Sequence, residues 1–186
     1  MKGRAFFFDR DGTIIRDKNF ICQYKEVEVF PFAVEALRMI SQKGYLLIGI
    51  TNQSSIARGI CLESDVQLIH KRLIDHFGAR GVPIERIYYS PFHEEGVVEK
   101  YRKSDPSRKP EPGMLLQAAA DFQIDLEASY MVGDSSRDIV AGIRGGCKTA
   151  LVRTGNGDTA LTELKERGMR ADLVADTILG IAEMLD

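Results

Sequence analysis

An apolar run, Ala5-Phe6-Phe7-Phe8, ends abruptly in Asp9-Arg10-Asp11-Gly12-Thr13. A run this short suits a buried parallel strand and is too short for a core helix. Two carboxylates, at i and i+2, therefore leave the strand at its C-terminal end, the edge where open α/β sheets bind their ligands. Neighbouring carboxylates repel and bury badly, so chemistry or a metal is the usual reason to keep both. Asp11-Gly12 also fits an ordinary polar turn.

Beyond this point strand and helix alternate. Residues 31–43 carry Val34, Leu37 and Ile40 on a helical stripe, and Gly44 suits the C-cap. Residues 45–50 are apolar throughout, a second strand covered on both faces. Ser64-x-x-Gln67 reads as a capping box opening a helix with Val66, Ile69, Leu73 and Phe77 on one side. Further strands are expected at 86–89, 129–132, 149–152 and 172–174, and helices at 113–122, 139–144, 160–167 and the C-terminal end. The alternation predicts a doubly wound, mostly parallel, Rossmann-like sheet with helices on both faces. Two connections, 14–31 and 90–112, are longer than packing requires and leave C-terminal strand ends, which points to function.

Composition narrows the classes. A chain of 186 residues, 44% hydrophobic and 28% charged, fits one soluble domain over 1–186. A net charge of −2 supplies no field for nucleic acid or an anionic membrane. Cys22, Cys61 and Cys147 are odd in number and form no C-x-x-C pair, so they read as reduced thiols in a cytoplasmic protein. No apolar segment approaches membrane-spanning length, and the start runs into the first strand with no signal peptide. Asn52-Gln53-Ser54 matches a glycosylation sequon that a cytoplasmic chain would not use.

Three more polar clusters fall at matching places. Thr51-Asn52-Gln53-Ser54 follows the second strand, Ser107-Arg108-Lys109-Pro110 ends the long loop after the third, and Gly133-Asp134-Ser135-Ser136-Arg137-Asp138 follows the fourth. Several strands thus deliver polar groups to one edge, and the set suits phosphoryl transfer through a carboxyl-phosphate. Asp9 would be the nucleophile and Asp11 the general acid and base. Mg²⁺ would sit on Asp9, Asp134 and the backbone carbonyl of Asp11. Lys109 and Thr51 would steady the phosphoryl oxygens. Simpler readings stand beside each assignment. Thr51 and Asn52 could cap a strand, and Lys109 could be a solvated loop cation. Asp138 could close a capping box with Ser135 or support the metal from behind. His70 and His76 read as surface residues of the second helix, and Gly155-Asn156-Gly157 as a loop.

Asp9-x-Asp11-Gly12-Thr13, Thr51-Asn52-Gln53, Lys109 and Gly133-Asp134-x-x-x-Asp138 resemble the four motifs of the haloacid dehalogenase superfamily of phosphohydrolases. Thr-Asn-Gln-Ser-x-Ile-Ala-Arg-Gly and Arg-Lys-Pro-x-Pro-Gly-Met-Leu are similar to its heptose-bisphosphate and histidinol-phosphate phosphatase branch. The resemblance runs from Phe6 to about Gly155. It implies a phosphatase without a large cap domain, acting on a small phosphorylated sugar, most simply a heptose 1,7-bisphosphate. It makes Asp9 the nucleophile, Asp11 the proton donor, Thr51 and Lys109 phosphoryl ligands, and Asp134 a magnesium ligand. It puts substrate at Asp17, Lys18, Asn19, Phe20, Thr51, Asn52, Gln53, Ser54, Arg108, Lys109 and Ser135.

Two departures stand out. The family's zinc-binding Cys and His positions are here Ser90, Phe92, Asp105 and Ser107, so no structural zinc is expected, and Phe92 and Tyr101 would hold the loop instead. Ser135 occupies a place where the heptose enzymes carry lysine. Histidinol phosphate is the alternative substrate. A nucleic acid 3′-phosphatase would need a basic track, and a non-catalytic phosphosugar-binding protein would have little reason to keep both Asp9 and Asp11. The expected state is a cytoplasmic monomer without nucleic acid or membrane partners.

Overall fold

The computed structural model describes residues 3–185; Met1, Lys2 and Asp186, the ends of the expected 1–186 domain, lie outside the described residues. Six parallel strands form one sheet in the order β3-β2-β1-β4-β5-β6. They are β1 (Arg4–Phe8), β2 (Tyr45–Asn52), β3 (Ile84–Ser90), β4 (Tyr130–Gly133), β5 (Lys148–Val152) and β6 (Leu173–Ala175). Six helices connect and cover them: α1 (Ala33–Gln42), α2 (Glu63–Gly78), α3 (Gly113–Phe122), α4 (Ser136–Gly145), α5 (Gly157–Glu166) and α6 (Ile178–Met184). The expected doubly wound sheet is present, and no large cap is inserted among the described residues.

β1 is central because all three phenylalanines can be covered at once. Phe6 and Phe8 pack among residues of α1, α2 and α6, including Leu37, Leu73 and Ile181. Phe7 faces the opposite layer, with Met114, Leu115 and Ala118 of α3 and Ala141 of α4. Alternating Cβ directions make this sharing obligatory in a strand. β1 pairs with β2 through Phe6↔Leu47 and with β4 through Phe6↔Tyr130. The winding direction changes between β1 and β4, so a crevice opens beyond their carboxyl ends.

Some local expectations shift. α2 begins before Ser64: its N-cap is Leu62, whose amide donates to the Asp65 carboxylate at 3.2 Å. Asp65 therefore caps the helix instead of the expected Ser64/Gln67 box. α4 starts at Ser136, three residues before the predicted turn, because Asp138 caps it: the Ser135 amide and hydroxyl donate to Asp138 Oδ2 at 3.0 and 2.8 Å. Gly44 takes a left-handed φ of +84° just past α1, as its C-cap role requires. The two long connections remain mostly irregular, with single 3-10 turns at Tyr24–Glu26 and Glu99–Tyr101.

The cysteine expectation is corrected. Cys22 and Cys61 form a disulfide with Cα atoms 5.2 Å apart, and Cys147 is free and buried. A sequence separation of 39 hides the pairing. The loops after β1 and β2 leave the same edge of neighbouring strands, and that topology brings the two thiols together. In protein isolated without reductant and then denatured, thiol titration should find one reactive group per chain rather than three.

α4 sits unusually close to the sheet. A Cβ at Gly142 would lie 2.7 Å from a Thr149 methyl and 2.9 Å from Met131 Cβ. Gly142→Ala should therefore destabilise by about 1–3 kcal/mol through overpacking, reduced by alanine's roughly 1 kcal/mol advantage in helices. A lowered urea midpoint is the check; an unchanged or raised midpoint would show that the layers can separate freely.

Candidate active site

The C-terminal edge of the sheet carries a cavity of about 190 Å³ whose walls come from every cluster singled out above. Asp9 and Asp11 reach it from β1, and Thr51, Asn52, Gln53 and Ser54 from β2. Asp17, Asn19 and Phe20 come from the first long loop, Lys109 from the second, and Asp134, Ser135 and Asp138 from the segment after β4. Two predicted contacts do not line it. Lys18 pairs with Glu28 at 3.2 Å, and Arg108 lines a neighbouring hollow with His93 and Asp105.

Lys109 is no solvated loop cation; it is 2% exposed. Its Nζ lies 3.0 Å from Asp9 Oδ1 and 2.6 Å from Asp138 Oδ1, and donates to the Ile50 carbonyl at 2.8 Å. Burial disfavours an ammonium here, but Asp138 and Asp9 outweigh it and hold the group above its ordinary range. Asn52 fixes its backbone: Asn52 Nδ2 donates to the Lys109 carbonyl and Asn52 Oδ1 accepts from the Lys109 amide, both at 3.0 Å. Asp138 therefore does two things at once, capping α4 with one oxygen and holding Lys109 with the other.

Asp9, Asp134 and Asp138 can bring one carboxylate oxygen each to within 4.8 Å of one another. Burial pushes Asp9 up to about 6, with Lys109 opposing and Asp138 and Asp11 adding to the rise. Burial, then Asp138 and Asp9, push Asp134 up to about 8. Crowded, buried carboxylates with one ammonium among them fit a hard, oxygen-preferring dication. The backbone is shaped to match. A Cβ at Gly12 or at Gly155, both with positive φ, would fall 2.2 or 2.0 Å from Asp134 Oδ2. The Asn156 amide donates to that same oxygen at 2.8 Å, leaving Oδ1 for a ligand. Gly155-Asn156-Gly157, expected only as a loop, supplies this contact, and its place shortly after β5, at the same sheet edge, is the signal the sequence carries.

Asp11 is held on its other side. Arg10 Nε and Nη2 donate to its two oxygens at 3.1 Å, and Gln53 Nε2 adds a bond of 3.0 Å. Gln53 also donates to Thr51 Oγ1 at 3.0 Å. The guanidinium is 1% exposed and its Nη1 meets His70 Nε2 at 3.1 Å. His70 is thus buried, contrary to the surface reading, while His76 is half-buried. The helical stripe missed it because His70 follows Ile69 on the flank of the apolar face, where only a partner such as Arg10 makes burial tolerable.

The positions that carry zinc in the resembling family are tied by hydrogen bonds here. The Ser107 hydroxyl donates to Asp105 Oδ1 at 2.7 Å and lies 3.0 Å from the Ser90 hydroxyl. Phe92 and Tyr101 pack with ring centroids 6.1 Å apart, as expected, and the Phe92 carbonyl accepts from Arg108 at 3.0 Å.

A family model described as HAD-hydrolase-like matches residues 106–181. A D-glycero-beta-D-manno-heptose-1,7-bisphosphate 7-phosphatase of Haemophilus ducreyi is 40% identical over 185 residues, 97% of each chain. The Escherichia coli K12 protein of the same name is 40% identical over 152 residues, 81% of this chain and 80% of its own. The chain belongs to the heptose-bisphosphate phosphatase branch of the haloacid dehalogenase-like hydrolases. It is a phosphatase. A solved member of the branch, the D,D-heptose 1,7-bisphosphate phosphatase of B. bronchiseptica complexed with magnesium and phosphate, superposes with a TM-score of 0.86 over 97% of both chains at 28% identity. No described helix is long and apolar enough to cross a membrane.

Burial and the Arg10 charge lower His70 from 6.5 to about 3. Between those values the unfolded chain binds a proton that the folded chain excludes, so stability falls as pH drops through this window. His70→Gln removes that term. Relative to wild type, the variant should gain about 1.4 kcal/mol per pH unit below 6.5, read from urea midpoints at pH 7.5 and 5. A pH-independent difference would mean that His70 takes up its proton in the fold as readily as in the unfolded chain.

Proposed function

We propose that this phosphatase removes the 7-phosphate of a D-glycero-D-manno-heptose 1,7-bisphosphate through an aspartyl-phosphate on Asp9. The carrying observation is the focus of charge at Asp9: Lys109 lies 3.0 Å from Oδ1 and Asp134 is close by. Oδ1 also accepts from the Arg10 amide at 2.8 Å, so Oδ2 is the oxygen left to attack. It bonds to phosphorus as the bond to the sugar oxygen breaks, and Asp11 gives its carboxyl proton to that oxygen. Asp11 then takes a proton from water, the water oxygen attacks phosphorus, and the Asp9–phosphorus bond breaks. Phosphate leaves and both carboxyls are restored.

Asp9, Asp134 and the Asp11 carbonyl would hold Mg²⁺, which neutralises charge on the phosphoryl group. Lys109 contributes a fixed cation and Thr51 a hydroxyl to the same oxygens. Ser55 joins them: it lines the cavity, is 2% exposed, and its hydroxyl is buried without a partner among the described residues. No zinc is required by a loop tied through Ser90, Asp105 and Ser107.

A second phosphate has cations waiting. Arg137 lines the cavity from the first turn of α4. Burial, then Arg137 and Arg58, hold the Arg108 guanidinium below its ordinary range. Arg108 lies in the hollow beside the cavity, and like charges gathered between the two favour a polyanion. Arg137 thus returns, two residues on, the cation missing at Ser135. The sugar phosphate substrate supports a cytoplasmic site of action.

Asp9→Asn should abolish phosphate release from the bisphosphate in Mg²⁺ while leaving the circular dichroism spectrum and Tm near wild type. Retained turnover would remove Asp9 as nucleophile. Arg137→Ala should raise KM about 10-fold or more for the bisphosphate, the size of a lost charge-assisted hydrogen bond, and leave KM for the 7-monophosphate unchanged. Equal effects on both would place the second phosphate elsewhere.

A further inference from the structure

We propose that His70 is a positioning residue for the reaction: by accepting from Arg10, it fixes the guanidinium that holds the Asp11 carboxyl. The inference rests on the reading of Asp11 as the proton carrier and adds what keeps that carrier in place.

Arg10 joins the two reacting carboxylates. Its amide donates to Asp9, and its side-chain fork grips both oxygens of Asp11. Such a fork orients a carboxylate only if the guanidinium plane itself cannot turn. Two contacts prevent rotation. Gln53 Oε1 accepts from Nη2 at 3.0 Å, and His70 Nε2 meets Nη1 at 3.1 Å. Arginine nitrogens only donate, so His70 Nε2 must be the acceptor and its proton must sit on Nδ1. A neutral ring is therefore built into the arrangement.

The ring is fixed in turn. His70 stands on α2 behind the site, in edge contact with Tyr89 at 5.4 Å between centroids. The Tyr89 hydroxyl donates to Glu63 at 3.0 Å and accepts from Gln67 at 2.8 Å, both also on α2. A continuous line of contacts runs from α2 through Tyr89, His70 and Arg10 to Asp11. Without the acceptor, Nη1 would be a buried donor with nothing in reach, and the guanidinium would turn to find one.

A purely structural histidine would lower all activity together. A residue acting through the proton donor would not, because a good leaving group departs without protonation. The test compares a sugar or alkyl phosphate with p-nitrophenyl phosphate, in Mg²⁺, for wild type, His70→Ala, His70→Phe, His70→Gln and Asp11→Asn. His70→Ala and His70→Phe should lower kcat on the alkyl phosphate roughly 10- to 100-fold, within the ~10²–10⁴ that general acid catalysis supplies. Their KM should stay within about 2-fold, and their kcat on p-nitrophenyl phosphate within about 3-fold. His70→Gln, whose amide oxygen can accept, should recover most of the loss. Asp11→Asn should show the same leaving-group pattern, more strongly. Equal losses on both substrates in His70→Ala, or wild-type kcat in the well-packed His70→Phe, would overturn the proposal while leaving Asp11's role intact. Equal losses in Asp11→Asn, or a wild type inactive on both phosphates, would overturn the reading of Asp11 beneath it, and the inference with it.

Discussion

Everything at the carboxyl edge depends on the Lys109 ammonium being buried between Asp9 and Asp138. An ammonium out of water is tolerable only beside carboxylates, and those carboxylates only beside it. Lys109 sits at the end of a long irregular loop, yet three tethers fix it: the Ile50 carbonyl at its tip and the two amide atoms of Asn52 at its backbone. Because Ile50 and Asn52 belong to β2 and Asp9 follows β1, the loop is registered against the sheet core. Charge then finishes the design. Burial first, and then the crowding of three carboxylates around one ammonium, makes Asp9 and Asp134 resist ionisation, and a dication suits the place.

Most of the architecture was legible because its signals are local and apolar. Buried parallel strands announce themselves as short unbroken runs, and the run in β1 identified a buried strand and the edge where ligands bind. Helix starts were harder. The capping of α2 turned on Asp65 rather than Ser64, since a shift of one residue in the first turn exchanges which side chain reaches the free amide. The Cys22–Cys61 pair was illegible for a different reason: disulfides follow proximity in the fold, and neither odd number nor spacing reports that.

The site divides in the same way. Residues announced by a strand end, such as Asp9, Thr51 and Asp134, were found where they were expected, around one cavity. Those that work behind them were not. Asn156 holds Asp134 from a loop that looked like a turn, and His70 holds Arg10 from the flank of an amphipathic helix. Their side chains satisfy another side chain, so no pattern in their own neighbourhood marks them. Lys18, by contrast, lies between the cavity-lining Asp17 and Asn19 and still pairs with the exposed Glu28.

The glycines explain how so many charges can be focused without a deep pocket. Side-chain atoms of Asp134 and Asp138 lie where Cβ atoms of Gly12, Gly133 and Gly155 would be. Backbone from β1, β4 and the turn after β5 therefore closes directly on the two carboxylates, and water has little room between them. In so confined a space a carboxylate cannot swing away to relieve repulsion. It must be neutralised where it stands, by Lys109, by an amide such as that of Asn156, by a proton, or by a cation. The arrangement is preorganised in the sense that matters for phosphoryl transfer: the groups that meet the phosphate are held by the fold before it arrives.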